Sequence, residues 1–253
     1  MEIKEISKEE AIGFVREYHY SKVMPRINKY YLGAFEGGEL KGVVILSWGT
    51  QPLGTIRKIF YKHKLTTKDY LEIGKMCFLP ECNHSNFGSR FLKEVVRWMK
   101  LNTDCKFLYT LADGIMSKCG IVYQSANFQY IGKFKTSVYR DINTGEKIHP
   151  RSAKVLLDEN AKLDGVSKRH WLTHNFCSLK GIEIEKINGF MFRYILPLNK
   201  QGKQILAGYP EYQGLKYPKE KDLKFWRRID NKKYVEIPAP KFNMDVLNYN
   251  KQR

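Results

Sequence analysis

The sequence predicts an α/β fold: a mixed central sheet flanked by helices, with a basic, aromatic C-terminal extension. Three observations predict it. Through the first 145 residues, stretches of helical spacing alternate with short apolar runs of strand length. The run YYLGAFEGGELKGVVILSWG holds two β-rich stretches around Gly37-Gly38, a hairpin pattern. After residue 145 the rhythm breaks into loop-rich chain and then into segments crowded with Tyr, Pro and Lys.

Ser7 and Glu10 match a capping box before Ile12, Phe14 and Val15, which predicts a first helix ending near Tyr18-His19-Tyr20. The hairpin follows, and a third strand, YLEIGKMCFLP, stops at Pro80. ECNHSNFGSRFLKEVVRWMKLN reads as a polar turn and an amphipathic helix, since Phe91, Leu92, Val95, Val96 and Met99 recur at helical spacing. CKFLYTLAD has the length of a buried strand and ends on Asp113. SKCGIVYQSANF then reads as helix and FQYIGKFKTSVYRD as strand. These elements predict a mixed α/β domain around one sheet over residues 1–145. Residues 146–253 form an extension that packs on it, with one clear strand at GFMFRYILPL and no evident apolar period from Lys200 on.

Lys and Arg number 44 against 26 Asp and Glu, a net charge of +18. Residues 1–145 carry 22 basic and 14 acidic side chains, and residues 146–253 carry 22 and 12, so both halves attract a polyanion. The five cysteines, at 77, 82, 105, 119 and 177, include no CxxC pair, which points to a reduced cytoplasmic protein without a zinc ribbon. MEIKEISKEEAIGF mixes charges from its second residue and is no signal peptide. No apolar run reaches the roughly 18 residues a membrane span needs.

Several residues are chemically apt. The turn from Asn83 to Ser89 lies between a strand and a helix, where backbone amides receive a pyrophosphate; Gly88 permits close approach and Ser89 adds a donor. Asp113, at the carboxyl end of a strand, is placed either to orient an amine or to cap the next segment. Tyr123 carries a phenol able to protonate a leaving thiolate, or a hydroxyl satisfied in the core. His19-Tyr20 follow a helix and equally suit packing. His170 and His174, in HWLTH, have zinc-helix spacing without the glutamate of a metalloprotease and read as structural. In the extension, Tyr209, Tyr212, Tyr217, Phe225, Trp226 and Tyr234 alternate with cations. Of these cations, Lys216, Lys219, Lys224, Arg227, Arg228, Lys232 and Lys233 are the candidate DNA contacts, a pattern suited to phosphates and bases.

The strand–turn–helix around Gly88-Ser89 and the later Tyr123…Asn127-Phe128…Gly132 resemble the GNAT acyltransferase superfamily, although only Gly88 and Ser89 remain of its pyrophosphate loop. Tyr18-His19-Tyr20-Ser21, Glu72-Ile73-Gly74-Lys75-Met76, Ser89-Arg90-Phe91-Leu92, Ala112-Asp113 and the Ile121–Phe128 run resemble, in order and spacing, the Mom DNA-modification family of bacteriophages. That resemblance implies a transferase of phage or prophage origin, acting in the bacterial cytoplasm. Its partner is double-stranded DNA, and it converts the exocyclic amine of adenine to a carbamoylmethyl-type adduct that blocks restriction. It implies Asp113, Tyr123, His19 and Tyr20 as catalytic residues, and His19, Tyr20 and Asp113 as iron ligands. It also implies an acyl-CoA-type donor such as acetyl-CoA, held by Lys75, Met76, Asn83, Gly88, Ser89, Arg90, Ser125 and Asn127. Lys75 stands where the family carries Arg, which keeps a charge and loses a bidentate contact. The rival readings are an N-acyltransferase acting on aminoacyl-tRNA or protein lysine, and an inert nucleic-acid-binding protein of the same fold.

Overall fold

Helix α1 (Lys8–Tyr18) begins where the capping box predicts, with the Ser7 side chain accepting a hydrogen bond from the Glu10 amide at 3.0 Å. It ends at His19, whose extended backbone turns the chain away. Strands β2 (Ile27–Glu36) and β3 (Glu39–Trp48) pair antiparallel across the Gly37-Gly38 turn, with Glu36 opposite Glu39. The short β1 (Glu2–Glu5) adds to the outer side of β2. Helix α2 (Pro52–Ile59), β4 (Tyr70–Phe78), α3 (Phe87–Asn102), β5 (Phe107–Asp113), α4 (Ile121–Ser125) and β6 (Gln129–Asp141) follow. The later elements are β7 (Lys147–Ile148), β8 (Ile184–Pro197), α5 (Lys200–Ala207), β9 (Phe225–Asp230) and β10 (Lys233–Ile237). This computed structural model describes residues 1–21, 24–49, 51–84, 86–148, 181, 183–230 and 233–243. His170, His174 and Lys232 lie outside them.

Two units make up the chain. The first comprises Met1–Ala112, Gly120–Gly132 and Phe192–Pro218; the second comprises Asp113–Cys119, Lys133–Met191 and Lys219–Arg253. The chain passes between the units five times. In the first unit the strands run β1-β2-β3-β4-β5-β8, with β4 and β5 parallel. One of its cores joins Ala11 and Val15 of α1 to Val43, Ile45 and Cys77 of the sheet. Another joins Ile56, Ile59 and Phe60, in and just after α2, to Ile205, Leu206 and Tyr209.

That second core corrects the reading of the chain after Lys200. Residues 200–218 are not an unpatterned extension: α5 is capped by Asn199, whose side chain accepts from the Gly202 amide at 2.8 Å. Tyr209 is fully buried, its hydroxyl accepting from the Lys62 amide at 3.0 Å, and the Tyr212 hydroxyl donates to the Ile59 carbonyl at 2.8 Å. In the second unit Ile115, Val138 and Ile187 form a smaller core, with Ile237 and Phe242 against it. Strand β9 pairs with β8 and β10 with β9, both antiparallel. Among the described residues no helix is long and apolar enough to cross a membrane.

Candidate active site

Strand β3 alternates regularly, and Val43 and Ile45 turn toward α1. Ser47, two residues on, points the same way. The register sets Asn28 of β2 and Glu72 of β4 opposite Ser47, and Tyr109 of β5 opposite Glu72. Four polar side chains thus run in a row across four adjacent strands of the first unit.

Extra residues create that row: Lys29 in β2, because Asn28 pairs with Ser47 while Tyr30 pairs with Leu46, and Gly74 in β4. Ile45 pairs with Lys75 while Leu46 pairs with Ile73, so Gly74 is a bulge. Because side chains alternate, one extra residue moves Glu72 from one face of the sheet to the other. Only glycine fits there: a Cβ on residue 74 would lie 2.1 Å from Ser47 Oγ and 2.7 Å from Pro25. The Glu72 carboxylate lies against Gly49, where an added Cβ would stand 3.0 Å from Oε2. Asn28 Oδ1 and Ser47 Oγ are buried and lack a hydrogen-bond partner among the described residues. Such groups cost about 1–3 kcal/mol each and mark a place worth explaining.

At the same level β4 and β5 part. Their parallel pairing runs from Tyr70 with Phe107 to Glu72 with Tyr109 and ends there, which leaves residues 73–78 and 110–112 unpaired with one another. Tyr123 of α4 stands beside this fork. Burial pushes its phenol above the ordinary value, the neighbouring Thr110 hydroxyl opposes the rise, and the charge of Glu72 adds to it. The phenol therefore keeps its proton at neutral pH. Helix α4 is held close to α3 because Gly88 leaves room for Val122, to which a Cβ would come within 2.7 Å. Gln124 fixes its far side, donating to the Tyr194 hydroxyl at 3.0 Å and the Pro218 carbonyl at 3.1 Å.

The other predicted residues have these places. Lys75 is buried and donates to the Ser21 carbonyl at 2.9 Å; the Ser21 amide donates to His19 Nδ1 at 2.8 Å, and the His19 ring stacks on Tyr20. Met76 is half-buried on β4, and Asn83 is exposed in the 3-10 turn before α3. Among the described residues no side chain caps the first turn of α3, and no acid lies in it. Ser89 returns its hydroxyl to the Asn86 carbonyl at 2.9 Å, and the exposed Arg90 pairs with Glu36 at 3.1 Å. Ser125 is exposed at the end of α4. Asn127 takes a left-handed φ of 62° that turns the chain into β6. Asp113 belongs to the second unit: Oδ1 accepts from the Ile115 amide at 3.1 Å and Oδ2 meets Lys147 Nζ at 2.9 Å.

These arrangements do not suit His19, Tyr20 and Asp113 as iron ligands. One ring nitrogen of His19 serves the Ser21 amide, and Asp113 already holds an ammonium group. Among the described residues no three His, Cys, Asp or Glu cluster as a metal site. A cavity of about 410 Å³ lies elsewhere in the first unit, lined by Tyr30, Trp48, Lys68, Leu71 and Asn102. Trp48 and Leu71 alternate with Ser47 and Glu72, so it opens on the opposite face from the polar row.

Sequence reasoning missed Glu72, Ser47 and Asn28 as site residues. A carboxylate inside the apolar run YLEIGKMCF was the available sign for Glu72.

Comparison with known proteins bears on this arrangement. The chain is 25% identical over 193 residues to the methylcarbamoylase mom of Escherichia phage Mu, covering 76% of this chain and 73% of that protein. A putative arylalkylamine N-acetyltransferase 7 from the yellow fever mosquito resembles it at 13% identity and a TM-score of 0.43, over 78% of this chain and 87% of that one. A Bacillus subtilis acetyltransferase in complex with CoA resembles it at 16% identity and a TM-score of 0.36, over 78% and 97%. The Mom protein family matches residues 1–219, the span that holds the polar row, the fork and Tyr123. The chain belongs to the Mom protein family.

Proposed function

We propose that this protein is a transferase that modifies the exocyclic amine of adenine in double-stranded DNA, adding a carbamoylmethyl-type group and so protecting phage DNA from restriction in the bacterial cytoplasm. The reading is carried by Glu72, at the last paired position of β4 and β5, whose charge acts on the buried Tyr123 phenol. It is supported by the relative's name, methylcarbamoylase. An exocyclic amine is a weak nucleophile because its lone pair is shared with the ring, so attack needs a base. Glu72 takes the amine proton as the new bond to nitrogen forms. Tyr123, kept protonated by burial, gives its proton to the leaving group: for the carbamoylmethyl adduct this is the group displaced from the methylene carbon of an acetamide-bearing donor, whereas attack on the carbonyl of an acyl-CoA-type donor expels the thiol and leaves a plain acyl adduct. The uncapped first turn of α3 offers backbone amides to the donor's phosphates. Asp113 acts as a positioning residue through Lys147.

The second unit supplies cations for the phosphate backbone. Lys219, Lys224, Arg227 and Lys233 are exposed, and Lys216 adds another in the first unit. Arg227 lies 3.8 Å from Glu185, which Arg140 also pairs, and Arg228 is half-buried, so Lys224 and Lys233 are the cleaner probes.

Mass spectrometry of nucleosides from plasmid DNA tests the reading. Cells expressing the protein yield a new adenine-derived mass, and Glu72→Gln or Tyr123→Phe removes it. The mass itself separates a carbamoylmethyl adduct from a plain acyl one. Unmodified DNA beside modified tRNA or protein lysine would replace this reading with an N-acyltransferase.

A further inference from the structure

The β9–β10 hairpin carries an apolar side chain where a soluble protein has least reason to keep one. Lys233 pairs with Asp230 but Tyr234 pairs with Arg228, which makes Ile229 the extra residue of a bulge near the end of β9. Ile229 is 66% exposed, and Tyr234 beside it is 46% exposed. The stem, by contrast, is anchored. Phe225 is buried opposite Ile237, Trp226 meets Phe190 edge-on at 5.5 Å, and Arg227 pairs with Ile187 of β8. A stiff two-stranded stem thus holds out a bulged, apolar end.

Lone exposed apolar residues are ordinary. This one is singled out by the bulge that aims it and by the cations around it, with Lys224, Arg227 and Lys233 exposed on the same ribbon. A two-stranded ribbon has the width of the DNA major groove. Apolar side chains pushed between base steps unstack them and kink the duplex, and an enzyme acting on a base inside a duplex must draw it out of the stack.

We infer that the β9–β10 hairpin is a duplex-invading ribbon whose Ile229 wedges between base pairs, with the surrounding cations holding the phosphates on either side. This rests on the reading of duplex DNA as substrate.

End-labelled duplexes of about 30 base pairs, read by energy transfer with and without saturating protein, test it. The wild-type protein shortens the end-to-end distance, consistent with a kink of about 20–90°. Ile229→Ala binds within about threefold of wild type, as the phosphate contacts remain, but leaves the duplex straight; Ile229→Leu restores the bend. An unchanged melting temperature for both variants shows that the hairpin stands. A duplex left straight by bound wild-type protein, or bent equally by Ile229→Ala, overturns the wedge while leaving DNA as the substrate. Absence of any salt-sensitive DNA binding by the wild type overturns both. Self-association that disappears in Ile229→Ala, with no bending, overturns the wedge in favour of a contact between copies of the chain.

Discussion

The polar row of the first unit and the hairpin of the second reverse the usual distribution of side chains in opposite ways. In the row, Ser47 is 1% exposed with a hydroxyl that finds no partner among the described residues, next to a glutamate; on the hairpin, an isoleucine stands in solvent. Each arrangement costs stability or solubility, and each is produced by extra residues in strands, Lys29 and Gly74 for the row and Ile229 for the hairpin. Both polar and apolar displacements have the same origin, a bulge that changes which face a side chain occupies. In the function proposed above, one region serves the chemistry and the other holds and opens DNA.

Mutations that separate those two tasks sharpen the comparison. The largest effect falls on Glu72→Gln and Tyr123→Phe, each lowering the modification rate by about 10²–10⁴-fold, the worth of a positioned acid or base, while DNA retention stays as in wild type. Loss of binding in either variant would merge the two regions into one. Next in size, Tyr209→Ala opens the core beneath the first unit and costs about 3–5 kcal/mol, read by chemical denaturation. Smaller again, Lys224→Ala with Lys233→Ala lowers the slope of log affinity against log salt by about 0.9 for each phosphate that is no longer neutralised; chemistry on bound DNA persists.

Tyr123 also has a pH signature. Because burial raises its phenol above 10.0, the acid form persists beyond the usual tyrosine range, and the alkaline fall of the rate lies above that value. A fall near neutrality that vanishes in Tyr123→Phe would show the phenol titrating far below where burial sets it, and an alkaline limb unchanged in Tyr123→Phe would remove the phenol as proton donor. The smallest expected effect is that of Ser47→Ala on stability. Removing an unpartnered buried hydroxyl leaves the melting temperature unchanged or slightly higher, whereas a hydroxyl with a hidden structural partner would destabilise the fold by about 1 kcal/mol or more on removal.

Much of the first unit was legible because its signals are local. Ser7 and Glu10 mark the start of α1, Gly37-Gly38 mark the hairpin, and the spacing of Phe91, Leu92, Val95 and Met99 marks α3. The missed elements lack such signals. Helix α2 buries only Ile56 and Ile59, and their cover, Tyr209 and Leu206, lies about 150 residues later. Strand β1 is largely exposed and pairs with β2 alone. In the site, Tyr123 could be placed from its position before the Asn127 corner. Glu72 could not, because its orientation depends on a bulge at Gly74 that strict alternation does not reveal.

The interleaving of the two units has a consequence for how the protein is made. The first unit needs Phe192–Pro218 to close over α2, yet its preceding segment ends at Gly132. At about 5–20 residues per second, a ribosome takes roughly 3–12 seconds to synthesise the chain between them. Through that interval Ile56, Ile59 and Phe60 wait without Tyr209 and Leu206. A nascent chain with an open core is a target for chaperones, so the late-arriving segment, rather than the early helices, governs when the enzyme is ready to act.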